Sequence, residues 1–197
     1  MVNHSDVLGR LVIAVHRLGH WTICRRDLPV IRQGAWVLYR VLDLLVVRIA
    51  ASSYIPARCT IGPGLRLPHT SGIIIHGLVR IGADVTIFHQ VTVGLREHPG
   101  GVPIIGDGVV LGAGAKVLGP LVVHARAKVG ANAVVLADVP VGCTAVGVPA
   151  TVRGQALRPP RPLASPGLNA GSLHWCAARG PSAIINPRLG AAPSSIG

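Results

Sequence analysis

Between Ile55 and Gly154 the chain places an aliphatic residue at every sixth position. The series runs Ile55, Ile61, Leu67. After a two-residue slip it continues with Ile75, Ile81, Ile87 and Val93, and after an interruption at 94–103 with Ile105, Leu111, Val117, Val123, Val129, Val135 and Val141. The second place of the hexad is often glycine (Gly62, Gly82, Gly94, Gly106, Gly112, Gly130, Gly142), and the fifth is small or aliphatic, as at Cys59, Val85, Val91, Val109, Ala115, Ala127, Ala133 and Ala145. Short strands produce this period. Within each strand one residue points inward and the next outward, small residues let the chain turn, and three strands close one triangular coil. The spacing predicts a mainly β domain over 51–154, a parallel β-helix of about five coils with the openers inside. Such a narrow prism has little room for rings, and Phe88 is the only Phe, Trp or Tyr from 55 to 154.

Residues 1–50 read differently. In Trp36–Leu45 the apolar positions recur at helical spacing, and Leu28-Pro29 divides the segment into two helices, because proline ends a helix before it. The plain role of these helices is packing or oligomerisation. Arg25, Arg26, Arg32, Arg40 and Arg48 also make them compatible with a basic membrane-surface helix. The apolar run Ala35–Ala50 carries Arg40, Asp43 and Arg48, so it is not expected to span a bilayer. No signal peptide is expected either, since Leu11–Val15 is short and runs into His16 and Arg17. Residues 155–197 hold seven prolines, no Asp or Glu and no period, which predicts a disordered tail.

Composition narrows the partners. Nineteen Lys and Arg against seven Asp and Glu give a net charge of +12, which favours anionic ligands. Seventeen of the cations are Arg, spread from Arg10 to Arg188 without interleaved aromatics, so nucleic acid is not expected and a phosphate-bearing small molecule is. The four cysteines show no CxxC spacing and do not make a disulfide scaffold, which points to a reduced, cytoplasmic protein.

Chemistry is expected where the repeat breaks. One break is the slip at Leu65–Ile73, and the other is the loop Gly94–Pro103. His69 is the third residue after opener Leu67 counted inclusively, and His89 holds the same place after Ile87, three hexads later. Three hexads make one coil, so the two histidines should stand on one side of the prism, about 4.8 Å apart. An imidazole on a rigid coil beside a loop suits general-base work on a hydroxyl or amine. His76, His124 and His174 read as solvated. A zinc site would need three histidines from adjacent coils, and His98 reaches the pair only if its loop bends inward, so no metal is expected.

The stretches Ile61-Gly62-Pro63-Gly64-Leu65-Arg66-Leu67-Pro68-His69, Val91-Thr92-Val93-Gly94, Ile105-Gly106-Asp107-Gly108-Val109, Gly112-Ala113-Gly114-Ala115-Lys116 and Gly147-Val148-Pro149-Ala150 resemble the hexapeptide-repeat acyltransferases, above all the serine O-acetyltransferases. The helical lead-in Arg17-Leu18-Gly19-His20 resembles the short form of that family. The resemblance implies a left-handed β-helix, a homotrimer or a higher multiple of it, and active sites between neighbouring prisms. It implies acetyl transfer from acetyl-CoA, as co-substrate with no bound cofactor, to the hydroxyl of L-serine, giving O-acetylserine for cysteine biosynthesis. His69 occupies the place of the family's catalytic base. Gly94, Gly112, Ala113, Lys116, Gly130, Ala131 and Arg153 correspond to the CoA arm or offer it phosphate contacts.

The chain also departs from the pattern. Where the family carries a carboxylate that orients the base, this sequence has Tyr54, and no acid lies between Asp43 and Asp84. The long form's Asp before the base is Pro68, and its Arg-His pair is Gly101-Val102. His89, Tyr54 and His98 are therefore candidates for support, and Arg96 and Glu97 for the substrate loop. The alternatives are a related O- or N-acetyltransferase acting on a sugar or other small acceptor, and a non-catalytic scaffold of the same fold.

Overall fold

The structure, a computed structural model, describes residues 7–24, 29–97 and 100–154. The tail 155–197, for which disorder is expected, lies outside the described residues, and so do Arg25 and Arg26.

The hexad folds as its period predicts. Its two- and three-residue strands stack in three parallel sheets, which are the faces of a left-handed β-helix. One face holds Thr60–Ile61, Arg80–Ile81, Ile104–Ile105 and Val122–Val123. The next holds Thr86–Ile87, Val110–Leu111, Lys128–Val129 and Thr144–Val146, closed by the antiparallel Thr151–Arg153. The third holds Ile74–Ile75, Thr92–Gly94, Lys116–Leu118 and Val134–Val135. Openers stack on openers: Ile61 on Ile81, Ile87 on Leu111 and Val93 on Val117. The fifth-place residues Cys59, Val85, Val109, Ala115, Ala127 and Ala133 complete a fully buried core.

One opener is misplaced by the strict period. Val141 is only half-buried, whereas Val139, Cys143 and Ala145 are buried. Val123 pairs with Val139, and Val129 with Ala145. The last coil is thus two residues short, and the opener after Val135 is Val139. Asp138 explains part of this: its carboxylate accepts the Val122 N–H at 2.8 Å, joining the tightened corner to the coil before it.

Second-place glycines have a steric cause. A Cβ on Gly62 would stand 2.6 Å from the Gly82 carbonyl carbon, inside any van der Waals contact. Elsewhere the corners need left-handed backbone, supplied by Gly114 at φ +71° and by Asn132 at φ +55° directly above it.

Two helices precede the prism, as the Leu28-Pro29 break predicts. Helix α1 spans Val7–Cys24, and α2 spans Pro29–Leu42 and continues as a wider π-helical segment over Asp43–Ala50. Arg48 and Asp43, five residues apart, meet on one side of that wider turn at 2.9 Å. No helix among the described residues is long and apolar enough to cross a membrane.

Among the described residues no coil lies beneath the first one, so its downward carbonyls need donors from elsewhere. Helix α1 provides them. Arg17 donates Nη1 to the Ile61 carbonyl at 2.8 Å and Nη2 to the Gly62 carbonyl at 2.6 Å. His16 donates Nε2 to the Cys59 carbonyl at 3.2 Å, and His20 donates Nδ1 to the Ala57 carbonyl at 3.0 Å. Burial drives the His16 pKa down to about 4, with the neighbouring His20 adding to the shift. Burial likewise pushes the Cys59 thiol up to about 12.

Candidate active site

The two-residue slip between Leu67 and Ile75 bulges one corner of the first coil, and His69 stands exposed on that bulge. Ser53 props it from below. Its buried hydroxyl faces the Thr70 and Ala51 carbonyls and accepts the Ile73 N–H at 3.0 Å. Thr70 itself is buried. Ser53 precedes the first opener and so lies outside the hexad, and Thr70, although inside the Leu65–Ile73 break, carries no signal in the sequence that sets it apart from its neighbours.

One coil further on, the Gln90 N–H donates to the Ser71 carbonyl at 2.8 Å and ties the second corner to the first. His89 precedes Gln90, which adopts left-handed backbone at φ +57°. The ring centroids of His69 and His89 lie 5.8 Å apart with planes at 71°. The juxtaposition expected from the repeat arithmetic is therefore present.

The same corner continues through the residues expected at the CoA arm. Ile87 pairs with Leu111 and Leu111 with Val129, so Phe88, Gly112 and Gly130 stack in register and His89, Ala113 and Ala131 follow them. The Gly114 N–H donates to the His89 carbonyl at 2.9 Å, and the Asn132 N–H to the Ala113 carbonyl at 2.8 Å. Lys116 reaches across the corner, donating Nζ to the Gln90 carbonyl at 2.7 Å. His69, His89, Gly112, Ala113, Lys116, Gly130 and Ala131 thus form one continuous edge of the prism. Gly112 and Gly130 are crowded by the next coil, where a Cβ would stand 2.7 and 2.9 Å from its neighbours, while half-buried Ala113 and exposed Ala131 keep the edge low beside the Lys116 cation, which suits an extended, phosphate-bearing arm.

Other candidates sit elsewhere. Gly94 accepts the Gly119 N–H at 3.1 Å, and Arg96 bridges to Gly101, so residues 94–97 and 100–103 of the loop lie over the Gly119-Pro120 corner rather than the histidine corner. Glu97 is exposed on that loop, and His98 lies outside the described residues. Arg153 is exposed on the last coil, paired with Thr144. Tyr54 pairs through its backbone with Ile74, and its ring lies under the Arg48 guanidinium at 5.0 Å. Among the described residues, no group of three or more His, Cys, Asp or Glu is placed to hold a metal ion.

Comparison with known proteins agrees with this geometry. Residues 103–137 match the family model of the bacterial transferase hexapeptide, six repeats. A serine acetyltransferase of Mycobacterium tuberculosis is 38% identical over 143 residues, covering 72% of this chain and 58% of that protein. One from Helicobacter pylori is 52% identical over 89 residues, covering 44% of this chain and 52% of that protein. Among solved structures, the Brucella abortus serine acetyltransferase in complex with coenzyme A superposes with a TM-score of 0.64 at 33% identity, covering 76% of this chain and 57% of that one. The soybean apoenzyme gives 0.62 at 37% identity, covering 75% and 58%. The chain spans less than three fifths of the length of these relatives. Its hexad, its stacked corner and these matches together make the chain, over the length it shares with them, similar to the hexapeptide-repeat serine acetyltransferases.

Proposed function

We propose that the chain is an acetyl-CoA-dependent O-acetyltransferase acting on the hydroxyl of L-serine, in the cytoplasm and as a homotrimer. The observation that carries this reading is His69, exposed on the propped bulge at one end of a small-residue edge that leads through Gly112 and Gly130. In the reaction, His69 takes the proton of the serine hydroxyl as that oxygen attacks the thioester carbonyl. The tetrahedral oxyanion is stabilised by backbone N–H groups. Collapse breaks the C–S bond, and the departing CoA thiolate recovers the proton from the imidazolium. The products are O-acetylserine and CoA. Lys116 serves the phosphates of the arm as a point charge, and the small side chains of Ala113 and Ala131 let the arm lie close along the edge. A threefold assembly would bring the 94–103 loop of one prism towards the histidine edge of another, where Arg96 and Glu97 could meet the acceptor.

The test is release of free thiol from acetyl-CoA against a panel of hydroxyl and amine acceptors. Turnover with L-serine well above the others is expected. Turnover with a sugar or amine instead would keep the fold and the base but replace the acceptor. The lack of a carboxylate at Tyr54 is the specific observation favouring that second reading. Binding of CoA without any turnover would leave a scaffold.

A further inference from the structure

We infer that His89 is the positioning residue of His69, holding its ring where relatives of this kind are expected to use a carboxylate; this rests on the acetyl-transfer reading above. A general base must present one chosen nitrogen to the acceptor hydroxyl, so something has to fix the ring. Tyr54, the residue in the carboxylate's place, is engaged elsewhere: its ring lies beneath Arg48, which is itself paired with Asp43. His69 is exposed on its bulge, and the ring packed against it is that of His89.

His89 is the better anchored of the two. It is half-buried, its carbonyl is held by the Gly114 N–H, and the next residue is tied to Ser71 below and to Lys116 Nζ alongside. A centroid distance of 5.8 Å and an angle of 71° fall in the favoured edge-to-face range. The fixed ring therefore limits the rotation of the exposed one. An edge-to-face contact needs a ring, and a side chain that only hydrogen-bonds does not reproduce it. Phenylalanine keeps the ring. Glutamine keeps polarity alone.

The experiment compares His89→Ala, His89→Phe and His89→Gln in the full chain, with L-serine and acetyl-CoA as substrates. Loss of positioning acts on the step in which the base is engaged, so His89→Ala and His89→Gln should lower kcat about 10-fold with the KM for acetyl-CoA nearly unchanged. His89→Phe should restore most of kcat. Long-range 1H–15N NMR of the imidazoles in the ligand-free protein gives a second readout that needs no turnover. The His69 ring resonances should move in His89→Ala and stay close to wild type in His89→Phe. Wild-type kcat together with unmoved His69 resonances in His89→Ala would overturn the inference, as would a His89→Phe variant as slow as His89→Ala. If the wild-type protein turns over no acceptor, the acetyl-transfer reading fails by itself and the NMR comparison alone decides whether His89 positions His69.

Discussion

Arg17 donates its Nη2 to the Gly62 carbonyl at 2.6 Å, across 45 residues of sequence. With its Nη1 on the Ile61 carbonyl, one guanidinium closes the open end of a sheet that no further strand among the described residues covers. Charge-assisted hydrogen bonds of this kind contribute about 1.5–3 kcal/mol each when compared with the uncapped group. Partial exposure of the pair puts the combined effect nearer the lower value. Arg17→Met should therefore destabilise the protein by about 2 kcal/mol in urea melts. Amide exchange should rise in the first coil before it rises in the coils above.

His16 makes the same cap sensitive to pH. Its folded-state pKa is about 4, against 6.5 for an ordinary histidine. Above pH 6.5 it is neutral whether the chain is folded or not, and it contributes no pH dependence. As pH falls through 6.5 towards 4, the unfolded chain gains a proton that the folded protein refuses. Stability should then decline across that window, by about 3 kcal/mol at its foot. His16→Gln can still donate to the Cys59 carbonyl and does not titrate. The difference between wild-type and His16→Gln urea melts at pH 7 and pH 4.5 isolates this contribution, and equal pH slopes would refute it.

The shortened last coil makes two nearly adjacent valines unequal. Val139 is fully buried, and Val141 is half-buried at a corner. Truncating a buried valine removes its burial and leaves a cavity, a cost of about 2 kcal/mol. Val139→Ala should lose that much, whereas Val141→Ala should lose less than about 0.5 kcal/mol. The reverse order would restore the unbroken period of six.

That pair also marks where the sequence is legible. Thirteen openers, the five coils and the meeting of His69 with His89 can be read from spacing, because a period of six in a closed triangular coil leaves no freedom in which residues stack. A two-residue deletion is invisible when both candidate openers are valine, as Val139 and Val141 are. The capping of the first coil by His16, Arg17 and His20 is equally hidden. It depends on where α1 docks, and nothing in the helix's own pattern states which carbonyls it will face. The slip at Leu67–Ile75 signals a bulge, but the hydroxyl that supports it comes from Ser53, outside the repeat.

Ser53 should accordingly matter to activity without touching a substrate. Its hydroxyl holds the Ile73 N–H and faces the Thr70 carbonyl, both at the ends of the bulge that carries His69. Ser53→Ala leaves those groups buried and unpaired, which costs about 1–3 kcal/mol. The melt should show that loss, and kcat should fall with it at temperatures where the variant is still fully folded. Ser53→Thr, which keeps the hydroxyl, should recover kcat more fully than stability, since its extra methyl must fit a closed site.

The strongest demand falls on His69 and Tyr54 together. If His69 is the base, His69→Ala should lower kcat by about 10²–10⁴-fold, while acetyl-CoA affinity, which we propose is set along the Gly112–Gly130 edge, stays nearly unchanged. Equilibrium binding of CoA alongside steady-state kinetics separates the two effects. Tyr54 tests the departure from the family pattern. It occupies the place of the orienting carboxylate, at the edge of the first coil where its backbone carbonyl already receives the Ile75 N–H at the end of the bulge. Tyr54→Asp puts a carboxylate back at that place. It should preserve or raise kcat, because an acidic partner for His69 would add to whatever already orients the ring. It should do nothing in a His69→Ala background, since the carboxylate acts only through that imidazole. A Tyr54→Asp variant that is slower than wild type yet equally stable would show that Tyr54 is itself needed. Full turnover by His69→Ala would remove the base from the mechanism altogether.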